Sequence, residues 1–202
     1  VVTVPYRRFA STDQQELLGR IDAARDRFLE VVRMVDPELR PSGSAWTVRD
    51  ITGHLLTVVR RYLRRPVSGG EGLAASPREV DRLNAAELAA LGDASRDQLA
   101  TDLVAEMDVL RQRYSAGPLD LEATAPFHGG VTIDMAAGMS NLIAELLIHG
   151  RDVARAAGRP WAIEERDAVL VLNGVMQILP AYARRTARQP LRARLDVAGA
   201  AP

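Results

Sequence analysis

The chain has no cysteine and no lysine; all 26 basic residues among its 202 are arginine. Without cysteine there can be no disulfide, no thiolate metal ligand and no sulfur nucleophile of the protein's own, so any thiol chemistry must use a thiol from outside. The exclusive use of arginine, beside abundant alanine, reads as a high-GC coding bias rather than a functional choice. A charge surplus is also missing, since 26 acidic residues balance the 26 basic ones. Non-specific phosphate binding needs such a surplus, which argues against nucleic acid as a partner. No run approaches the roughly 18 apolar residues of a membrane span, and "VVTVPYRRFAS" at the N-terminus lacks the apolar core of a signal peptide. The expectation is a cytoplasmic chain with neither a nucleic-acid nor a membrane partner.

What is present is a 47% hydrophobic composition over a length that can bury one substantial core. Helical periodicity dominates. A first helix is expected from about Thr12 to near Val35, with Leu17, Leu18, Ile21, Phe28, Val31 and Val32 on its buried face. "DPELRPSGSA" (36–45) interrupts it, and "WTVRDITGHLLTVVRRYLRR" opens a second helix with Thr47 and Asp50 three apart, the spacing of a capping box. Pro77 after Ser76 suits the first turn of a shorter helix ending near Gly92. Another helix fills 95–114, and "LDLEATAPFHGG" (119–130) reads as a loop. The longest pattern runs from about Thr132 to Ala157, and a last helix from about Ile163 to Arg185 should kink or end at Pro180.

Strand-like alternation is confined to "PLRARLDVAG" (190–199). It is either the start of a truncated C-terminal α/β domain or a tail that pairs elsewhere. The fold expected is all-α, a four-helix bundle with short extra helices over 1–185, followed by this segment at 186–202.

Only three histidines occur, His54, His128 and His149. Glu145 and His149 in "ELLIHGRD" lie one helical turn apart, a spacing that serves a surface hydrogen bond as readily as a shared ligand. Asn141, Glu145, His149 and Asp152 form a polar line among Leu142, Leu146 and Ile148, with Gly138 leaving space one turn earlier, which suggests a polar pocket inside a bundle. His54 on the second helix is either a core histidine satisfied by a carbonyl or a third ligand facing that pair. Two imidazoles and a carboxylate would leave positions open on zinc or ferrous iron.

"WTVRDITGHLL" (46–56) and "NLIAELLIHGRDVARAAGRPW" (141–161) together resemble the mycothiol-dependent maleylpyruvate isomerase family, within the wider DinB-like group of four-helix metalloproteins. The resemblance covers roughly residues 12–185. It implies a metal held by His54, Glu145 and His149, zinc in the first place with iron or nickel compatible, and mycothiol or another low-molecular-weight thiol as cosubstrate. The implied partners are that thiol and a small electrophile; a homodimer is an option. Family members also carry a C-terminal, sterol-carrier-like α/β domain that contributes an arginine to catalysis, and this chain stops where that domain would begin.

Around the three ligands, Asp152 and His128 are the catalytic candidates and Asn141 and Arg61 the cofactor-binding ones. Asp152 either orients a ligand histidine or pairs with Arg151 or Arg155. His128 either lines the pocket or sits on a surface loop. Within "RRYLRR" (60–65), the basic run reads as a solvated helix end or as an anion site. Arg60 and Arg61 are candidates to recognise a carboxylate or sugar phosphate, Arg61 lying two turns from His54 on roughly the same face. Trp46 reads as a structural aromatic at the helix cap.

The chemistry that follows is a metal-activated external thiol, adding to an alkene for cis/trans isomerisation or displacing a leaving group as an S-transferase. The competing readings are a non-catalytic bundle that binds a metal or small ligand, and a metal-dependent hydrolase needing a separate general base.

Overall fold

The computed structural model describes residues 11–64 and 72–186. Among them are six α-helices and one short hairpin: α1 (Gln14–Arg33), α2 (Val48–Tyr62), α3 (Pro77–Ala90), α4 (Arg96–Ser115), β1 (Thr124–Phe127), β2 (Val131–Asp134), α5 (Met135–Ala156) and α6 (Glu165–Thr186). Helix α1 packs on α5 and α2 on α4, with α6 flanking α5 and α3 flanking α2. The expected all-α bundle is therefore the fold. None of these helices is long and apolar enough to cross a membrane.

The core follows the helical periodicity. Leu17, Leu18, Ile21, Phe28, Val31 and Val32 of α1 are all buried, as are Val48, Ile51, Leu55, Val58 and Val59 of α2. Each fully buried side chain of this size is worth roughly 1.5–3 kcal/mol of transfer free energy. Helix α2 begins where its sequence says it should. The Thr47 side chain accepts from the Asp50 N–H at 3.1 Å, and the Asp50 carboxylate accepts from the Thr47 N–H at 3.0 Å, closing the capping box. Helix α1 is capped by Asp13, one residue beyond the expected Thr12.

Two expectations are corrected. The segment 119–130 is not all loop: β1 pairs antiparallel with β2 in the register Thr124↔Asp134 to Phe127↔Val131. Strands of four residues are too short to display a period of two. The turn between them depends on Gly129 (φ 75°) and Gly130 (φ 67°), a left-handed conformation that glycine adopts without strain. Helix α5 consequently starts at Met135 rather than Thr132, capped by Asp134, whose side chain accepts from the Ala137 N–H at 2.7 Å. Nor does Pro180 end α6, which continues to Thr186. A proline removes one backbone bond from a helix, and a long packed helix can absorb that loss. The strand expected at 190–199 lies outside the described residues.

Glycine permits two close approaches beside the histidines. A Cβ on Gly53 would lie 2.9 Å from Leu91 Cδ1 and 3.2 Å from Leu88 Cδ2, so its absence lets the end of α3 close against α2 next to His54. A Cβ on Gly150 would lie 2.5 Å from the ring of Trp161, which packs over α5 next to His149 and is itself covered by the Arg27 guanidinium at 4.4 Å.

Candidate metal centre

Helices α2 and α5 bring His54, Glu145 and His149 together. His54 Nε2 lies 3.4 Å from Glu145 Oε2, and His149 Nε2 lies 3.3 Å from the same oxygen. One donor atom from each residue falls within 4.8 Å of the other two. This is the trio singled out in the sequence, converging as three ligands of one small cation would. His54 is buried, whereas the Glu145 and His149 side chains keep 28% and 20% of their exposure, so the cluster opens on the α5 side.

The electrostatics suit a cation. Burial alone would raise the Glu145 carboxyl, but the hydrogen bonds and charges of His149 and His54 outweigh it and hold the group well below the ordinary carboxylate range. Burial pushes His54 below the usual imidazole range, with Glu145 opposing. A deprotonated carboxylate and a neutral imidazole are the forms that bind metal. His54 Nδ1 is buried without a hydrogen-bond partner among the described residues. The donor set fits zinc, and a tetrahedral ion so held would keep a position open.

Trp46 does more than pack at a cap. Its ring lies 4.7 Å from that of His54 and 6.1 Å from that of His149, while the two imidazoles meet edge-on at 5.1 Å. It therefore forms a wall of the cluster. The signal was its position immediately before the capping box, which fixes where the chain enters α2.

The polar line along α5 divides. Asn141 Nδ2 is 3.4 Å from the Tyr62 hydroxyl, which donates to the Gly138 carbonyl at 2.7 Å. The space expected beside Gly138 is thus occupied by Tyr62, whose Cε1 would sit 3.7 Å from a Cβ there. Burial pushes the Tyr62 phenol up, beyond the range in which it ionises. Ile148, expected beside the pocket, is 46% exposed. Asp152 is half-buried, and among the described residues neither expected pairing forms, with His149 or with Arg151 and Arg155.

Arg61 and His128 meet in a second cluster. Arg61 lies seven residues, about 10 Å of rise, beyond His54 on α2. It is no solvated helix end: its Nε donates to Glu87 Oε2 at 2.8 Å, its Nη2 donates to the same oxygen and to Asn84 Oδ1 at 2.6 Å, and its Nη1 lies 3.3 Å from His128 Nε2. Its neighbour Arg60 donates from Nε to Glu106 Oε1 on α4 at 3.1 Å. Glu87 is wholly buried, and His128 is buried too rather than on a surface loop. The Ala74 N–H donates to His128 Nδ1 at 3.0 Å, and the Gly129 N–H donates to the Ala74 carbonyl at 2.8 Å, pinning the hairpin turn against the bundle. Burial first, then the Arg61 charge, lowers the His128 imidazole to about 4. Asn84 and Glu87 were missed in the sequence. Their spacing of three on a short helix was the available signal, with no third polar residue to draw attention to it.

Fold and cluster together define a class: a DinB-like helical bundle whose second and fifth helices bring two histidines and a glutamate close enough together that they could hold one cation. Residues 41–154, more than half of the chain, match the family model of the mycothiol maleylpyruvate isomerase N-terminal domain, and the chain belongs to that family. The bundle is similar to the crystal structure of the mycothiol-dependent maleylpyruvate isomerase at 15% sequence identity, with a TM-score of 0.54 over 83% of this chain and 70% of that one. A histidine-to-alanine mutant of such an enzyme gives 16% identity and a TM-score of 0.56 over the same shares. No curated protein matches the chain.

Proposed function

We propose that this chain is an enzyme that activates an external low-molecular-weight thiol of the mycothiol type for reaction with a small electrophile. Held by His54, Glu145 and His149, zinc would supply the positive charge that turns a thiol into a thiolate near neutral pH. The observation that carries this reading is the convergence of three donor atoms within 4.8 Å, in a family named for a mycothiol-dependent isomerase.

The chain's own groups suit the remaining tasks. Glu145 brings a negative charge that is stable at neutral pH, and His54, neutral and buried, brings none, so the cation is left partly uncompensated. Trp46, its ring 4.7 Å from that of His54, would form one wall of the cluster. Arg61 and His128 would orient the second reactant. Asn141 would fix the position of Tyr62 rather than touch a ligand, and Asp152, half-buried one turn past His149, would be placed beside the site as its remaining catalytic candidate. Isomerisation and S-transfer share the first step, attack of thiolate on an electrophilic carbon, and differ only in whether the thiol is regenerated.

The test is a titration of mycothiol into the zinc-loaded chain. Saturable binding with proton release is expected, and the same titration of the triple variant H54A/E145A/H149A should release none. Absence of binding by mycothiol and by other cellular thiols would overturn the thiol reading. Activity with thiol plus a panel of conjugated alkenes and alkyl electrophiles then separates isomerase from transferase.

A further inference from the structure

His54 is anchored through its backbone but not through its outer ring nitrogen. The Thr57 hydroxyl donates to the His54 carbonyl at 2.8 Å, and Gly53 lets Leu88 and Leu91 close on the turn of α2 that carries the histidine. In the ring, Nε2 faces Glu145 Oε2 at 3.4 Å, while Nδ1 is buried and has no hydrogen-bond partner among the described residues. A neutral imidazole that gives the lone pair of one nitrogen to a cation carries its proton on the other. Histidine ligands ordinarily donate that proton to a carboxylate, a carbonyl or water, and the bond fixes both tautomer and ring orientation. Among the described residues no side chain or carbonyl supplies that bond to His54.

What the structure places against the imidazole is Trp46. The two ring centroids lie 4.7 Å apart with planes inclined at 38°, and His149 meets the same imidazole at 5.1 Å and 76°, nearly edge-on. Trp46 and His149 are themselves 6.1 Å apart, so the three rings form one packed group. An indole packed on an imidazole restricts rotation of the imidazole plane, the same freedom that a hydrogen bond at Nδ1 removes. The indole is in turn fixed by the chain on both sides: the Ser44 hydroxyl accepts from the Trp46 N–H at 3.0 Å, and Thr47, the next residue, closes the capping box. Of the two tryptophans in the chain, Trp161 already has a cation on its face, the Arg27 guanidinium, whereas among the described residues none covers Trp46. Aromatic faces attract positive charge, and an imidazole bound to a cation carries part of that charge, so the contact between Trp46 and His54 would strengthen when the centre is loaded.

From this we infer that Trp46 is a positioning residue for the metal centre: its indole, packed against His54, holds the imidazole in the orientation that an acceptor at Nδ1 supplies to other histidine ligands. The inference rests on the function proposed above in taking His54, Glu145 and His149 as ligands; it does not depend on the thiol. What position 46 must supply is an aromatic ring, and its effect is read in metal affinity rather than in folding. A residue that merely packed the entry to α2 would change the stability of the chain but leave the affinity of the folded protein for zinc where it was.

Two measurements test it on the full chain. Zinc affinity is read by competition with a chromogenic chelator, beside urea unfolding of each metal-free variant. Trp46→Phe, which keeps a ring, should bind zinc less than about tenfold more weakly than the wild type, and Trp46→Leu, apolar but without a ring, about ten- to a hundredfold more weakly. Unchanged zinc affinity in both variants, with only stability lowered, would overturn the proposal, and so would an equal loss in the two. Where Trp46→Leu fails to fold, Trp161→Phe leaves Trp46 as the only indole. Zinc should then change its fluorescence saturably, at the midpoint found by competition, because the loaded imidazole lies against the ring. Emission that stays unchanged while zinc binds would overturn the positioning role. Failure of the wild type to bind zinc would overturn this inference and the metal reading together, whereas binding of zinc without mycothiol would overturn the thiol reading alone.

Discussion

Helix α2 carries two charged clusters of opposite demand. At His54, a carboxylate sits between two imidazoles, with no cationic side chain bonded to it among the described residues; at Arg61, a cation is already bonded to a buried carboxylate. Among the described residues, the first cluster has no cation of its own, whereas the second carries its cation in Arg61. The second cluster is the more deeply buried, Glu87 wholly so, while the first opens on the α5 side, but that difference is one of degree. What separates them is which charge the protein supplies itself. The glutamate of the first, bonded only to imidazoles, is suited to a cation from solution, whereas that of the second is matched within the chain.

The largest effect should come from removing the negative charge of the first cluster. Glu145→Ala is expected to abolish stoichiometric zinc retention, measured by metal analysis after exhaustive dialysis, while barely lowering the stability of the metal-free chain. For the wild type, zinc at a hundredfold excess over its dissociation constant should stabilise folding by about 2.7 kcal/mol. Stoichiometric zinc retained by H54A/E145A/H149A would remove the contrast between the clusters altogether.

Glu87→Leu attacks the second cluster and should reverse that pattern. Zinc retention should be kept, but the buried Arg61 loses its counter-charge, at a cost of about 3–5 kcal/mol in urea unfolding. A loss under about 1 kcal/mol would mean that Arg61 reaches solvent and is not held by Glu87 as a buried pair.

Acid should distinguish the clusters less sharply. His128 titrates at about 4 in the folded chain against about 6.5 unfolded, so between those values the unfolded state binds the extra proton. Stability contributed by the neutral, buried imidazole is complete above pH 6.5 and is lost as pH falls towards 4, by on the order of 3 kcal/mol. Beside burial, the groups acting on it are Arg61 and His54, which depress it, and Glu145 and Glu87, which oppose. Unfolding curves from pH 7 to 4 on the wild type and His128→Gln measure the difference; equal slopes would show that His128 protonates freely in the native state.

The two clusters also differ in how far they could be read from the amino-acid order. Glu145 and His149 are one turn apart on a strongly periodic helix, and His54 follows a capping box that fixes the phase of α2, so the first cluster was legible before any coordinates. The four-helix core was legible for the same reason: long helices repeat their apolar spacing many times. Arg61, Asn84, Glu87 and His128 come from two helices and a hairpin turn, and their meeting depends on how α3 and the turn pack against α2. No local spacing encodes that packing. The four-residue strands were invisible because so short a segment offers no period; for Trp46 the capping box gave its place at the entry to α2 but not its contact with His54, which crosses from a loop onto a helix face.

The smallest effect concerns the structure that both clusters share. Thr47→Ala opens the capping box at the start of α2 and should cost about 1 kcal/mol. Because Trp46 immediately precedes that cap and stands 4.7 Å from His54, loosening the cap frees the aromatic wall of the first cluster before it disturbs Arg61, two turns further along. Zinc retention should therefore fall slightly, by less than about tenfold, while the acid-dependent stability difference assigned to His128 stays unchanged. Equal losses in both would mean that α2 moves as one rigid body, and that the clusters are coupled through its position rather than independent along its length.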